Sequence, residues 1–191
     1  MLYVAASTML VFLATQNLSA TMWITMFWLI LLFSAVNALA KSFMLDAGER
    51  QIYHYQLSSP TKVLLAKLIY NFLLLLFMSL VALIAFIMLF GHPIISPSIF
   101  ATTFLMGVLS FSILFTVMSS IAVQSGGSSV IMPIISFPVS VPVFVLLLKL
   151  SRAAVTNEGV LNYGKDVLSL LAINAVILAV AFLLFPYIWR D

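Results

Sequence analysis

The sequence predicts an all-α integral membrane protein with six transmembrane helices. Of its 191 residues, 64% are hydrophobic and only 7% are charged, whereas about a quarter of a soluble domain is charged. The charges are also placed unevenly, because residues 1–40 and 68–148 contain no Asp, Glu, Lys or Arg. A chain of this composition cannot present a water-compatible surface, so a lipid bilayer is its expected surroundings.

Six apolar stretches are separated by segments rich in polar and turn-forming residues. A membrane-spanning helix needs about 20 mostly apolar residues. The candidate spans of this single domain, residues 1–191, lie at about 2–15, 21–40, 63–90, 98–123, 130–150 and 166–189.

The first span is short. From Leu2 to Ala14 a helix would cover roughly 20 Å, whereas the hydrocarbon core is about 30 Å thick. A signal peptide of that length would need a basic segment in front of it, and none precedes Leu2. We expect a first helix truncated at its N-terminus in this sequence, with a short or re-entrant segment as the alternative.

Basic residues suggest an orientation. If the spans alternate and 41–62 is cytoplasmic, five basic residues lie inside and three outside, which favours both termini in the cytoplasm. The inside set is Lys41, Arg50, Lys62, Lys67 and Arg190, and the outside set is Lys149, Arg152 and Lys165. The small basic surplus suits anionic lipid and does not suggest nucleic acid. Three aromatic residues near span ends are expected at the membrane interfaces, namely Trp23, Tyr187 and Trp189.

The loop 41–62 is the most informative polar segment. Ser59 and Pro60 suit a helix cap and a first helical position for the third span. A short surface helix over about 46–57 would carry both charged and aromatic side chains. It either anchors to lipid or docks a cytoplasmic partner, and Tyr and Arg are favoured at interfaces. The candidate docking residues are Asp46, Glu49, Arg50, Tyr53 and Tyr55.

The fifth span opens on "GGSSVIMPIISFPVSVP". An interior proline removes one backbone hydrogen bond and kinks or breaks a helix, so we expect a broken helix that lies inside the bundle or beside a cavity, as a static kink or as a hinge. Ser136 and Ser140 are expected to supply hydrogen bonds to the freed carbonyls. The helix-break or hinge set is Gly126, Gly127, Pro133, Pro138 and Pro142.

Catalytic and metal-binding patterns are weak. The chain has no cysteine, and His54 and His92 lie in different loops. The stretch 159–166 fits G-x-x-x-x-G-K but continues with Asp166 where a phosphate-binding loop needs Ser or Thr. The spans carry hydroxyls and amides, which are expected to join helices or bond their own backbone. Ion-coupled carriers usually keep charged groups there, so secondary transport is disfavoured.

Three stretches together carry a family resemblance: "DAGERQIYHYQLSSPTKVLLAKLIYN", "SGGSSVIMPIISFP" and the Pro138–Pro142 pair. With their order between the spans, they make the chain resemble cytochrome c maturation protein B (CcmB), a family of membrane subunits of ABC transporters. The resemblance covers almost the whole chain. It implies a six-helix permease of the ABC-2-like exporter type in the bacterial cytoplasmic (inner) membrane, with loop 41–62 as the coupling region.

The resemblance also implies function and partners. The partners would be a cytoplasmic ABC ATPase subunit, haem-handling membrane proteins of cytochrome c assembly, and a second permease copy or related membrane subunit. Haem would be a transported or complex-associated species, and the work would be haem export or release of a haem-loaded chaperone. The alternatives are an ABC-2-type permease for another substrate such as a lipid or drug, and a non-transport membrane scaffold.

Overall fold

The computed structural model describes residues 2–15, 18–39, 60–124, 131–156 and 159–188. Within these ranges the chain forms six α-helices and one short 3-10 helix, with no β-strand among the residues described. The α-helices are α1 (Leu2–Ala14), α2 (Ala20–Leu39), α3 (Pro60–Phe90), α4 (Pro97–Gln124), α5 (Ile131–Val155) and α6 (Tyr163–Ile188), and the 3-10 helix is Val160–Asn162. The predicted all-α, six-helix class is therefore confirmed.

Helices α2 to α6 are each long and apolar enough to cross a membrane. They contain 20 to 31 residues, and a rise of 1.5 Å per residue makes even α2 about 30 Å long. The shorter α1 has 13 residues, all of them uncharged. The chain is thus a multi-pass membrane protein.

The ends of α3 follow the expected turn chemistry. The helix begins at Pro60, the residue predicted for its first position. It ends before Gly91, whose backbone has φ +81° and whose N–H donates to the carbonyl of Ile87 at 3.0 Å. A left-handed residue after a helix is nearly always glycine, because a Cβ there is strained.

Helix α4 is the central element of the bundle. It packs against α2, α3, α5 and α6, and 72% of its most apolar window is buried, compared with 17% for α6. The helices run up and down through the bundle.

Hydrogen bonds that join helix ends to one another and to the α3–α4 connection define one end of the bundle. The N–H groups of Ile95 and Ser96 both donate to the carbonyl of Ala154 at 3.0 Å, and the Tyr163 hydroxyl lies 2.5 Å from Thr102 Oγ1. We call this the Gly91 end: it contains the ends of α3 and α5 and the starts of α4 and α6. The opposite, Pro60 end contains the ends of α2, α4 and α6 and the starts of α3 and α5.

Aromatic side chains fill the core near the Gly91 end. Trp23 stacks on Phe27 with ring centroids 5.5 Å apart, and it meets the edges of Phe86 at 5.5 Å and Phe100 at 6.1 Å. Trp23 is only 1% exposed, so its predicted place in an interfacial belt is wrong. Its position near the start of α2 is interfacial in sequence, but its ring points toward α3 and α4.

Gly107 of α4 lets side chains of α2 and α5 pack closely against the α4 backbone. A Cβ at this position would lie 2.5 Å from Cζ3 of Trp28 and 3.0 Å from Cδ2 of Leu147. The indole is held in place, because its Nε1–H donates to Ser151 Oγ at 2.7 Å. Trp28 therefore ties α2 to α4 by packing and to α5 by a hydrogen bond.

Candidate functional site: the proline-bearing helix and its polar neighbours

The predicted coupling residues fall outside the described part of the chain. These are Asp46, Glu49, Arg50, Tyr53 and Tyr55, and the same holds for Gly126 and Gly127 of the predicted helix break. The helix ends that flank both segments are described, and all of them lie at the Pro60 end. One end of the bundle is thus the attachment point for the predicted coupling loop and for the start of α5.

Helix α5 is continuous from Ile131 to Val155, with Pro138 and Pro142 inside it. The expectation of a broken helix is therefore wrong for the described residues 131–155. Proline has no N–H, so the carbonyls of Ile134 and Pro138 lack the donor four residues ahead that an α-helix normally supplies. Pro133 is the third residue of the helix, where the N–H would have no intrahelical acceptor in any case.

The two serines beside the prolines do not serve the freed carbonyls. Ser136 Oγ–H donates to the carbonyl of Pro133 at 3.3 Å, and Ser140 Oγ–H donates to the carbonyl of Phe137 at 2.8 Å. Both acceptors belong to the serine's own turn, three residues back. The predicted role of these hydroxyls is therefore wrong, because hydroxyls in helices reach only carbonyls three or four residues back.

The prolines lie on the outer face of the bundle. Pro138 and Pro142 are exposed, as are Phe137 and Val141. The opposite face of α5 is buried and contains Ser140. The expected place inside the bundle is thus wrong for Pro138 and Pro142, although Pro142 does line an open groove between α5 and α6. In the membrane, this face meets lipid or another protein.

Side-chain amides connect the central helix α4 to helices on both sides. Asn71 Nδ2–H of α3 donates to Thr116 Oγ1 at 2.9 Å, and Asn174 Nδ2–H of α6 donates to Ser110 Oγ at 2.8 Å. These hydroxyls in turn donate to backbone carbonyls within α4, Thr116 to Ser112 and Ser110 to Met106. The prediction that such groups join helices or bond their own backbone is confirmed for both pairs.

A further interhelical polar contact was missed from the sequence. The Trp28–Ser151 hydrogen bond joins α2 to α5, and the predicted fifth span ended at 150. The apolar run is interrupted by Lys149 and Arg152, both of which are exposed. The helix continues because these charged side chains point out of the bundle while Ser151 is buried.

Several buried polar atoms have no hydrogen-bond partner among the described residues. They are Trp23 Nε1, Ser34 Oγ, Ser112 Oγ, Ser119 Oγ and Asn174 Oδ1. Leaving such groups unpaired inside an apolar bundle is costly. The interior thus contains polar atoms that join helices by hydrogen bonds and others that have no partner among the described residues.

The chemistry of this interior is that of neutral hydroxyls and amides. The buried residues of the described ranges include no Asp, Glu, Lys, Arg or His, and no group of three or more potential metal ligands occurs there. His92 is exposed in the connection between α3 and α4. Ionisable groups of the kind that relay protons are therefore not among the buried residues of the described ranges.

Comparison with known proteins identifies the family of the chain. The family model described as CcmB protein matches residues 8–189, nearly the whole chain. No curated protein matches it significantly, and neither does any solved structure. The matched range contains five complete helices and the second half of α1, including the proline-bearing α5 and the stretch that precedes α3. The chain therefore belongs to the CcmB family, which implies a membrane permease subunit of an ABC transporter acting in cytochrome c maturation.

Proposed function

We propose that a separate cytoplasmic ATPase subunit powers this permease, and that the work is export of haem or release of a haem-loaded chaperone. The observation that carries the proposal is the family match over residues 8–189. The polar, charged segment that precedes α3 joins helices at the same end of the bundle as the start of α5. A force applied there by a soluble partner would act on the end of α2 and the start of α3, at the same end of the bundle as the start of α5.

The near-match to a phosphate-binding loop supports a separate energy source. Gly159 is left-handed with φ +80°, and it leads through the 3-10 helix Val160–Asn162 into α6. The element before it is the helix α5, whereas a phosphate-binding loop follows a strand. Asp166 would also place a carboxylate next to the phosphates. The stretch 159–166 thus consists of a helix-to-helix connection and the first turn of α6.

Neutral spans support energy from ATP over energy from an ion gradient. Among the described residues of α3 and α4, charged side chains occur only at Lys62 and Lys67, near the start of α3. Ion-coupled carriers keep ionisable groups inside the membrane because those groups do the coupling. We therefore place the energy source outside this chain.

The proposed orientation puts the Pro60 end in the cytoplasm of a bacterium, with the protein in its inner membrane and both termini cytoplasmic. The basic residues are divided between the two ends. Lys62 and Lys67 lie toward the Pro60 end, while the three basic residues of α5 and α6 lie toward the Gly91 end. Counting Lys41, Arg50 and Arg190 with the Pro60 end gives the modest bias that favours this direction.

Charge reversal in the loop should separate ATPase docking from folding. Glu49→Arg or Arg50→Glu should markedly reduce recovery of the ATPase subunit with the tagged permease, because rim charges steer and register a docking surface. Membrane levels of the permease should stay unchanged, since the sequence places both residues in the polar stretch 41–62, between two apolar spans. The measurement is the ratio of ATPase to permease after affinity purification from membranes.

Arg152→Glu is the matched control for this test. It makes the same charge change as Arg50→Glu, at an exposed position near the Gly91 end that a cytoplasmic ATPase cannot reach in the proposed orientation. Full ATPase recovery with both loop variants would exclude these residues from docking. If no ATPase is recovered even with the wild-type chain, the result favours the alternative of a non-transport membrane scaffold.

A further inference from the structure

An apolar groove runs along the outside of the bundle between α5 and α6. Its lining is entirely apolar and comes from both helices: Val139, Pro142, Ala172, Ile173, Val176 and Ile177. The groove is open to the surroundings of the protein, and Val176 at its edge is 62% exposed. An apolar part of a ligand could lie in it without meeting a polar side chain.

Two lysines lie above this groove, one on each helix. Lys149 follows Pro142 by seven residues on α5, and Lys165 precedes Ala172 by seven residues on α6. Seven residues make almost two full helical turns, so each lysine lies on the groove-lining side of its helix, about 10 Å closer to the Gly91 end. Both side chains are exposed, and neither pairs with a carboxylate within the described ranges.

We infer that this face binds one anionic phospholipid, with its phosphate group between Lys149 and Lys165 and an acyl chain in the groove below them. The inference goes beyond the proposed function and does not depend on it. The charge pattern selects the occupant, because a molecule with one anionic end and an apolar tail matches both halves of the surface. A purely apolar protein partner would leave two ammonium groups without counter-charges at the edge of the contact.

The position of the groove across the membrane agrees with a bound phospholipid. Each leaflet supplies about half of the ~30 Å hydrocarbon thickness. A groove that begins about 10 Å below the lysines therefore lies within the reach of an acyl chain whose phosphate is held at the membrane surface. Long basic side chains near helix ends commonly extend toward lipid headgroups in this way.

Nearby charges strengthen the preference for an anion. Arg152 is exposed one turn beyond Lys149 and adds a third positive charge at the same end. The acidic residue of the described ranges at this end is Asp166, which is half-buried beside Lys165. The sequence adds Glu158 in the connection between α5 and α6. Three basic and two acidic residues leave one net positive charge at this end, which favours a phosphodiester that carries a net negative charge.

Native mass spectrometry of the purified full-length chain with defined lipids tests the site. The wild-type protein should retain phosphatidylglycerol in preference to phosphatidylcholine with the same acyl chains. Lys149→Gln and Lys165→Gln should each weaken phosphatidylglycerol binding about fivefold, the effect of one basic group at a membrane surface. Ala172→Phe, which fills the groove and leaves the charges in place, should weaken the binding of both lipids.

Lys62→Gln is the matched control, because it removes an exposed lysine near the Pro60 end and should leave the binding unchanged. Equal weakening by Lys62→Gln, or wild-type binding in Lys149→Gln plus Lys165→Gln, would overturn the inference. A protein occupant can also be detected, because the chain has no cysteine and a single one can be introduced as Val176→Cys. Efficient cross-linking of that cysteine to a second copy or another subunit in native membranes would overturn the lipid site as well.

Discussion

Gly107→Ala should lower the free energy of unfolding by about 1–3 kcal/mol, the usual cost of overpacking a core. The new methyl group would lie 2.5 Å from Cζ3 of Trp28 and 3.0 Å from Cδ2 of Leu147. The indole cannot move away freely, because its Nε1–H is bonded to Ser151 and its ring packs against Phe111 at 6.0 Å. Thermal unfolding of the purified protein in detergent measures the loss, and Gly107→Leu should prevent accumulation in the membrane.

Gly164→Ala is the matched control for this prediction. Gly164 lies in α6, and a Cβ there would meet nothing within 4 Å. The same substitution should therefore be neutral or raise stability by up to about 1 kcal/mol, the gain in helix propensity. If Gly107→Ala unfolds at the wild-type temperature, the close contact between α2 and α4 is not as described. A smaller ring in Trp28→Phe should partly rescue Gly107→Ala, which a double-mutant cycle would detect.

Pro138→Ala plus Pro142→Ala should leave the protein stable and inserted but abolish most of its support for c-type cytochrome assembly. The substitutions supply N–H groups to the carbonyls at positions 134 and 138, and alanine is favoured over proline in a helix by about 3 kcal/mol each in water. The helix becomes stiffer along its exposed face. If α5 bends during the transport cycle, that gain in stability comes with a loss of function. The measurement is c-type cytochrome content together with the membrane level of the variant.

Pro133→Ala provides the control within the same helix. Pro133 is in the first turn of α5, where the restored N–H finds no intrahelical acceptor, so function should stay near the wild-type level. Normal cytochrome content in the Pro138→Ala plus Pro142→Ala variant would assign the proline pair to architecture alone and remove the hinge role.

The number and type of helices follow from the sequence because each span is a long apolar run between polar segments. Helix α3 begins at Pro60 as the turn chemistry predicts. The ends of α5 and α6 were harder to place. Helix α5 continues to Val155 and α6 begins at Tyr163, beyond the predicted limits of 150 and 166. Charged residues interrupt the apolar run there, but the helices continue through them because their side chains are exposed on the outside of the bundle.

The inner and outer faces of the helices could not be predicted from composition. In a membrane, lipid is as apolar as the protein core, so hydrophobicity does not distinguish the two. For this reason the sequence predicts a place inside the bundle or beside a cavity for Pro138 and Pro142, whereas both are exposed and Pro142 lines an open groove. Helix α5 stays continuous through Pro138 and Pro142 because an apolar environment offers its backbone few hydrogen-bond partners outside the helix.

The sequence predicted which kinds of residue join helices, but not which residues they contact. Asn71 and Asn174 were identifiable as helix-joining residues, because an amide in an apolar span needs a partner, but the sequence could not say which one. The contact between Gly107 and Trp28 left no such signal, since a single glycine in α4 has no spacing that points to α2. The coupling residues Asp46, Glu49 and Arg50 lie outside the described ranges and stay a prediction.

Deleting the gene that encodes this chain tests the role in cytochrome c maturation most directly. Haem staining of membranes and periplasm should show loss of holo c-type cytochromes, while b-type cytochromes, which need no covalent haem attachment outside the cytoplasm, should keep their normal levels. A plasmid copy of the gene should restore the c-type signal. Unchanged c-type cytochromes in the deletion strain would contradict the account.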